Sequence, residues 1–310
     1  MGKFVALVAL ALSVVVGLAL VVAVAAGSGS SPSDPSPPGA APTTGAPGSG
    51  GDQPGPAIPA TWLPLYRQAA AGCPGMSWSI LAAVGTVETG SGRSKLPGVW
   101  SGANSAGAEG PMQFEPATFA SYATVGPDGA RPASPYDPVD AVYTASAMLC
   151  ADGAGSEPTL RSAITDYNHS AVYATTVLSL SLALAEDPTV SGTAIAAITF
   201  AAEQLGTPYV WGGTGNGGFD CSGLAQAAYR AAGINLPRVA QDQFDAGPVV
   251  PGNGTVQPGD LLFFGTGTSG VDHVGLYVGA GEMIDAPHTG ADVRFDEADW
   301  PDLVGVTRPA

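Results

Sequence analysis

Basic residues are scarce in this chain of 310 residues. Lysine and arginine number 10 against 26 aspartates and glutamates, lysine occurs only at Lys3 and Lys95, and the formal net charge at pH 7 is -16. Binding to a nucleic-acid backbone depends on clustered lysine and arginine. The sequence contains no such cluster, so a nucleic-acid partner is excluded.

Charge is also absent from one long apolar run at the N-terminus. Residues 4–26 carry no charged side chain and are preceded only by Lys3. The run is long enough to span a bilayer and exceeds the roughly 7 to 15 apolar residues of a secretory signal. We therefore predict a transmembrane signal-anchor over residues 1–26, inserted in the cell membrane with the rest of the chain outside. Cleavage near Ala26, which would give a secreted protein, is the alternative.

Large apolar residues are nearly missing from the next segment. Residues 27–60 consist almost wholly of Gly, Ser, Pro, Ala and Thr, which cannot offset the entropy of ordering, so we predict a disordered spacer. A shorter break at residues 188–192 separates two regions with apolar periodicity. The sequence thus predicts a multidomain protein with a first domain at 61–187 and a second at 193–310.

Cysteine is equally rare, with three residues in the chain. In an exported protein this number suggests one bridge and one leftover thiol. Cys73 and Cys150 both fall in the first domain and are the natural pair for a disulfide. Cys221 stands alone in the second domain.

The surroundings of Cys221 favour a reactive thiol. A glycine-rich loop, Pro208 to Gly218, leads into Asp220-Cys221-Ser222-Gly223, and the following residues predict a helix that stops at Gly233. Aligned peptide dipoles at a helix N-terminus favour an anion and lower the pKa of a thiol. No lysine follows the glycines as a nucleotide-phosphate loop would require, so we set that function aside.

A cysteine nucleophile needs a base, and the second domain contains two histidines, His273 and His288. His273 opens an alternating apolar stretch typical of a strand, and residues 282–285 follow as its partner strand. A three-residue hairpin loop at 279–281 places His273 and Asp285 on one face, whereas a two-residue loop would send Asp285 to the other. The spacing of Cys, His and Asp matches no usual zinc pattern, so no metal is expected.

These motifs carry a family resemblance. PYVWGG, FDCSGL, LPR, QPGDLLFF, HVGLYVG and MIDAPHTG, spread over about 110 residues, resemble the NlpC-type cell-wall cysteine peptidases. The resemblance implies an α+β papain-like fold with Cys221 as nucleophile, His273 as base and Asp285 as the orienting residue. That third residue is most often His in the family, so His288 remains a second candidate for it.

The same resemblance implies a substrate and a pocket. Such peptidases cut between D-glutamate and diaminopimelate in peptidoglycan stems. Tyr209, Asp220, Ser222 and Arg238 match positions that line the pocket for the N-terminal end of the stem peptide. Asp220 as a helix cap, Tyr209 as a core residue and Arg238 as a surface charge are the structural alternatives.

In the first domain, one carboxylate has an unusual setting. Ser77 is a fair N-cap for a helix that ends at Thr89-Gly90. Glu88 continues the apolar face of this helix and lies at its negative end, where the dipole and desolvation both disfavour the anion. A raised pKa suits a general acid for glycosidic cleavage.

The sequence around Glu88 carries a second resemblance. VETGSG, GAEGPMQFEPATF, YDPVDAVYTASAMLCADG and DYNHS, within residues 73–180, resemble the lytic transglycosylases and goose-type lysozymes, which are all-α members of the lysozyme superfamily. The resemblance implies that Glu88 is the catalytic acid/base and that Gln113, Tyr167 and Asn168 contact the glycan, with His169 bordering the cleft.

Other acidic residues of this domain have less suitable settings. Glu109 lies in a glycine-rich turn, Glu115 precedes a proline, and Asp137 before Pro138 is typical of an N-cap. With one strong carboxylate we favour the transglycosylase reaction, in which a substrate hydroxyl closes an anhydro ring, while hydrolysis stays open.

Together these features predict a membrane-tethered bifunctional peptidoglycan hydrolase that needs no cofactor. The hypothesis from another class is a catalytically inactive wall-binding or scaffold protein. A third makes the second domain an amidase or acyltransferase acting on other γ-glutamyl-like bonds.

Overall fold

Helices make up the first part of the described chain. The structure, a computed structural model, describes residues 56–252 and 254–310. The first six helices are α1 Trp62–Ala70, α2 Trp78–Thr89, α3 Pro116–Tyr122, α4 Pro138–Ala151, α5 Glu157–Asn168 and α6 Ala171–Glu186. A disulfide between Cys73 and Cys150, with an S–S distance of 2.07 Å, joins the segment before α2 to α4.

Local sequence signals explain where two of these helices begin and end. The side chain of Ser77 caps α2, which ends at Gly90 in the left-handed conformation with φ 61°. Asp137 caps α4 by accepting two backbone hydrogen bonds, and Pro138 occupies the first turn, where its missing N–H costs nothing. Both N-caps predicted from the sequence are confirmed.

The second part combines three helices with an antiparallel sheet. The helices are α7 Gly192–Glu203, α8 Cys221–Ala231 and α9 Ala240–Ala246. The strands are β1 Thr214–Gly215, β2 Gly218–Phe219, β3 Leu261–Gly265, β4 Val271–Gly279, β5 Glu282–Asp285, β6 Arg294–Glu297 and β7 Leu303–Thr307. Strands β1 and β2 form a small hairpin, and the other five form a sheet in the order β6-β5-β4-β3-β7. This is the α+β architecture expected for the second domain.

The five-stranded sheet is covered on both faces. Alternate residues of β3 and β4, such as Phe263 and Leu276, join the large core that also contains α7 and α8. The other face carries a smaller cluster that includes Phe264, Tyr277 and Met283, with Trp300 packed against it. Because side chains alternate along a strand, His273 and Asp285 lie on the face of this smaller cluster.

The large core continues across the predicted boundary at residues 188–192. Helix α6 before this segment packs against α7 after it, and buried residues of both, such as Leu184 and Ile198, belong to one cluster. The two predicted domains therefore share apolar packing between these two helices.

The start of the described chain is packed as well. Pro56 bridges to Ser191, and the backbone N–H of Ala57 donates to Val190 at 2.8 Å. Ala57 and Ile58 are buried. Residues 56–58, which we placed in the spacer, thus join the folded part of the chain because their apolar side chains find partners there.

The predicted anchor and most of the spacer, residues 1–55, lie outside the described residues. Within residues 56–252 and 254–310, no helix has the length and apolar character needed to cross a membrane.

Candidate active site

Cys221 is the first residue of α8, at the end of a loop built for close packing. Asp220 caps the helix, its carboxylate accepting the backbone N–H of Gly223 at 2.7 Å. Gly223 lies against the carbonyl of Gly213, and a Cβ there would overlap that carbonyl. The glycines of the loop therefore let the chain fold back onto the N-terminal turn of α8, which begins at Cys221. All three cysteines lie within the described residues, so Cys221 is the free thiol left by the Cys73–Cys150 disulfide.

His273 and Asp285 meet on adjacent strands. Nε2 of His273 lies 2.7 Å from Oδ2 of Asp285, and both residues are buried. The Sγ of Cys221 lies 3.9 Å from the carbonyl oxygen of Asp272, the residue before His273. Nε2 of the imidazole thus faces Asp285, and the thiol lies close enough to His273 to act as a hydrogen-bond partner of the ring.

The β4–β5 hairpin, which aligns His273 with Asp285, has a shorter loop than the sequence predicted. Strand pairing is Tyr277 with Met283 and then Gly279 with Glu282, so the loop has two residues and Val278 forms a bulge. A two-residue loop alone would turn Asp285 to the opposite face, but the bulge adds the residue that restores the predicted register. The predicted face of Asp285 is therefore observed, while the predicted three-residue loop is wrong.

The electrostatics favour a charged imidazole. Burial alone would lower the pKa of His273, but hydrogen bonds to Asp285 and Cys221, with their negative charges, outweigh burial and raise this pKa to about 9. Burial raises the pKa of Asp285, while the hydrogen bond to His273 opposes that shift. His288, the alternative orienting residue, is exposed, and its Nδ1 lies 3.1 Å from the carbonyl oxygen of Thr289.

The four predicted pocket residues gather beside Cys221. Arg238 donates to both carboxylate oxygens of Asp220, at 2.9 and 2.7 Å, and to Oγ of Ser222 at 3.0 Å. Burial raises the pKa of Tyr209, and the nearby Cys221 and Asp220 add to the rise. Asp220 thus caps α8 and also orients the half-buried Arg238, whose Nη2 donates in addition to the carbonyl oxygen of Gly213 at 3.4 Å.

Two tryptophans at this centre were missed by the sequence analysis. Trp211 is 85% exposed in the loop before Cys221, and its place inside the PYVWGG motif was the available signal. Trp300 stacks on His273, with ring centroids 5.2 Å apart and an interplanar angle of 19°. No motif marked Trp300, because the contact joins positions 27 residues apart in sequence through a loop after β6.

A second polar centre lies at the end of α2. Oε1 of Glu88 accepts a hydrogen bond of 2.7 Å from the hydroxyl of Tyr173. Burial raises the pKa of Glu88 to about 7, although the Tyr173 hydrogen bond acts against that rise. Tyr173 was not among the predicted residues, since its position on α6 relative to Glu88 depends on helix packing.

Two of the residues predicted to contact the glycan, Tyr167 and Gln113, are held by hydrogen bonds within the first part of the chain. Tyr167 stacks on Tyr173 at a centroid distance of 6.3 Å and donates to the carbonyl of Met112 at 2.8 Å. Gln113 follows Met112. Its side-chain oxygen accepts a hydrogen bond from the amide of Asn104, and its side-chain nitrogen donates one to the carbonyl of Gly110.

The remaining predicted side chains lie at the surface. Asn168 and His169 are exposed at the end of α5. The rival carboxylate Glu115 occupies the exposed N-cap position of α3, and Glu109 lies beside Tyr136. The structure thus brings Tyr167 close to Glu88 and places Asn168 in solvent. Among the described residues, no three His, Cys, Asp or Glu side chains are arranged to hold a metal ion.

Comparisons with known proteins match the second part of the chain. Residues 206–302 match the model of the NlpC/P60 family. The chain is 46% identical over 106 residues to the gamma-D-glutamyl-L-lysine dipeptidyl-peptidase of Bacillus subtilis (strain 168), covering 34% of this chain and 36% of that protein. It is 42% identical over 99 residues to the murein DD-endopeptidase MepH of Escherichia coli (strain K12), covering 30% and 36%.

A solved structure, the P60 domain of the antigen MAP1204 from M. avium subspecies paratuberculosis, is 32% identical, with a TM-score of 0.34, covering 37% of this chain and 93% of that one. The chain spans little more than a third of the length of the Bacillus subtilis relative and of the Escherichia coli relative, 36% of each. Residues 206–302 of the chain thus form an NlpC/P60 domain.

Proposed function

We propose that this chain is a peptidoglycan hydrolase whose NlpC/P60 domain cleaves stem peptides with Cys221 as the nucleophile. The observation that carries the proposal is the placement of Cys221 at the N-terminus of α8 beside the hydrogen-bonded pair His273 and Asp285. The curated relatives named above are described as a γ-D-glutamyl-L-lysine peptidase and a murein endopeptidase, which supports a wall peptide as substrate.

The geometry suits acyl transfer through a thioester. The Cys221 thiolate attacks the scissile carbonyl carbon, and backbone N–H groups at the start of α8 stabilise the oxyanion. The imidazolium of His273 then gives its proton to the leaving amine as the C–N bond breaks. His273 next takes a proton from water, which attacks the thioester and releases the free acid and the thiol. Asp285 keeps the imidazole oriented and stabilises its charged form throughout.

For the substrate, we propose the bond between D-glutamate and a diamino acid of the stem, diaminopimelate in the first instance. Asp220, Ser222, Arg238 and Tyr209 form a polar pocket next to the nucleophile, with both an anionic and a cationic group. Such a pocket can bind the charged N-terminal end of a short peptide. Cleavage at a D,D cross-link, the bond that the name of the Escherichia coli relative implies, is the competing specificity.

For the first part of the chain, we propose glycan cleavage with Glu88 as acid/base, by a lytic transglycosylase or a lysozyme-like reaction. The supporting observation is that Glu88 has a pKa of about 7 and a hydrogen bond to Tyr173. A carboxyl group that is partly protonated at neutral pH can donate a proton to a glycosidic oxygen.

We also propose that residues 1–26 anchor the protein in the cytoplasmic membrane, with residues 27–55 as a flexible tether. The supporting observations are the uncharged run at 4–26 and the Gly/Ser/Pro composition that follows. Export is consistent with the Cys73–Cys150 disulfide, because such bonds persist in oxidising compartments.

The test is digestion of purified peptidoglycan by the full chain, followed by mass spectrometry of the fragments. We expect Cys221→Ala to abolish stem-peptide cleavage and Glu88→Gln to abolish glycan cleavage, each leaving the other reaction intact. Anhydro-sugar ends would identify a transglycosylase, and reducing ends a lysozyme.

Three results would contradict these proposals. If the wild type releases no more than the double variant, the chain is an inactive wall-binding protein. If Cys221-dependent products arise without cleavage after D-glutamate, the domain acts on another bond, as an amidase, an acyltransferase or a D,D-endopeptidase would. If Glu88→Gln leaves the glycan products unchanged, the first part has no glycosidase centre at Glu88.

A further inference from the structure

An aromatic pair holds the imidazole of His273 from the side of the smaller cluster. The indole of Trp300 stacks on the imidazole at 5.2 Å and 19°. Phe264 contacts both rings, with centroids 5.0 Å from Trp300 and 5.8 Å from His273. The backbone around Trp300 is itself fixed, since the N–H of Leu303 donates to its carbonyl at 3.2 Å.

We propose that Trp300 is a positioning residue for the catalytic base, which holds the charged imidazole of His273 in line between Cys221 and Asp285. This inference rests on the proposed cysteine-peptidase function. It adds a fourth side chain to the nucleophile, the base and the orienting carboxylate.

The stacked indole of Trp300 restrains the orientation of the imidazole. Asp285 and Cys221 are hydrogen-bond partners of His273, so hydrogen bonds control the edges of the ring. The torsion about the Cβ–Cγ bond of histidine is broad, so contacts with the ring faces add to the restraint on its rotation. A flat indole lying nearly parallel to the imidazole restricts that rotation, because tilting the imidazole would push its edge into the indole face.

The indole face of Trp300 also stabilises positive charge on the imidazole. The face of an indole carries negative charge density and attracts a cation within about 6 Å of the ring centroid. Trp300 lies within that range of His273. The stacking therefore favours the imidazolium over the neutral ring, and the imidazolium is the form that stabilises a neighbouring thiolate.

Charged groups face the two rings from different sides, and Glu282, Asp296 and Glu297 line a pocket with Trp300. Cys221 on α8 and Asp285 on β5 face His273, and Asp285 is in turn close to Arg294 and Asp296 on β6. The carboxylates of two other helices packed against β4, α9 and α6, form hydrogen bonds with residues other than His273. Asp245 on α9 accepts from Gln241, and Glu186 on α6 accepts from Tyr277. Trp300 thus acts on an imidazole whose charge depends chiefly on Cys221 and Asp285.

The test uses Cys221 as its own reporter. The rate of alkylation of the full chain by iodoacetamide is measured at pH 6 and at pH 10, where a thiol ionises without help. Cys221 is the free thiol of the chain, so the label reports on this position. We expect Trp300→Leu to lower the ratio of the pH 6 rate to the pH 10 rate by about three- to tenfold, the size of a partly desolvated cation–π contribution.

Two further variants complete the design. Trp300→Phe keeps an aromatic face and should restore most of the ratio. Trp100→Leu removes a half-exposed tryptophan of the first part and should leave the ratio unchanged. In peptide hydrolysis, Trp300→Leu should lower kcat with KM nearly unchanged, because the stem pocket at Arg238 is intact.

The proposal is overturned if Trp300→Leu folds, by circular dichroism, and keeps the wild-type ratio, because Trp300 would then only pack the smaller cluster. If Trp300→Leu does not fold, Trp300→Met decides in its place, because it keeps a large apolar side chain without an aromatic face, and a wild-type ratio in that variant overturns the proposal. If the wild type alkylates as expected but cleaves no peptidoglycan, the proposed function fails while the positioning role stands.

Discussion

Glu186, the last residue of α6, accepts a hydrogen bond of 2.6 Å from the backbone N–H of Ala280 in the β4–β5 turn. Its carboxylate also accepts from the hydroxyl of Tyr277, at 3.1 and 3.2 Å. The helix that carries Tyr173 at its start thus holds, at its end, the hairpin that carries His273 and Asp285.

Loss of this contact should loosen the hairpin. We expect Glu186→Ala to lower the free energy of unfolding by about 1.5 kcal/mol, the lower end of the net range for hydrogen bonds to a charged group, because Glu186 is exposed. Urea denaturation measures the change. Glu186→Gln keeps an acceptor oxygen and should lose less, and equal losses for the two variants would show that the charge, not the hydrogen bond, matters.

The pH dependence of stem-peptide cleavage should follow His273. With a pKa of about 9, the imidazolium persists through neutral pH, so kcat/KM should fall only as the pH rises above about 9. In Asp285→Ala the hydrogen bond and the negative charge are lost, so the pKa of His273 should fall and move this alkaline limb to lower pH. We also expect kcat to fall at least about tenfold, since the base loses its orientation.

The matched comparison for Asp285 is His288→Ala. His288 is exposed and contacts its own neighbour Thr289, so its removal should change neither kcat nor the alkaline limb. A loss of activity in His288→Ala with retention in Asp285→Ala would make His288 the orienting residue.

Glycan cleavage should depend on pH through Glu88. A general acid must be protonated, and a pKa of about 7 predicts that the rate declines as the pH rises through 7. The Tyr173 hydrogen bond stabilises the carboxylate and lowers this pKa, so Tyr173→Phe should move the decline to higher pH. Product release in a Cys221→Ala background, followed by mass spectrometry from pH 5 to 9, measures both. A decline at the same pH in both proteins would contradict the role assigned to Tyr173.

The disulfide should stabilise the first part strongly. It closes a loop with a sequence separation of 77, for which the chain-entropy model gives about 4 kcal/mol. We expect the double variant Cys73→Ser/Cys150→Ser to unfold at clearly lower urea concentration than the wild type. Cys221→Ser serves as the control, because its thiol makes no bridge, and an equal loss in both proteins would argue against the loop-closure effect.

Much of the local structure was predictable from short-range signals. Ser77 and Asp137 cap helices because their side chains satisfy free backbone N–H groups within a few residues. Cys221 at the start of α8 follows from the glycines and Asp220 before it. The motifs around Cys221 and His273 resemble those of the NlpC-type peptidases, and this resemblance lies in the sequence alone.

Other features depend on contacts between distant parts of the chain. The Val278 bulge sits where the hairpin meets α6, and the apolar pattern of β4 does not show it. Tyr173 reaches Glu88 only because α6 packs on α2.

The sequence by itself identified the candidate nucleophile Cys221, the candidate base His273 and the acidic residue Glu88 at the end of α2, since each lies in a motif or at a helix terminus defined by its neighbours. Only the tertiary structure decided what surrounds them: the bulge that turns Asp285 toward His273, the indole of Trp300 on the imidazole, and the phenol of Tyr173 on Glu88. The physical reason is that a side chain's local conformation follows from adjacent residues, whereas its partners are chosen by how whole helices and strands pack.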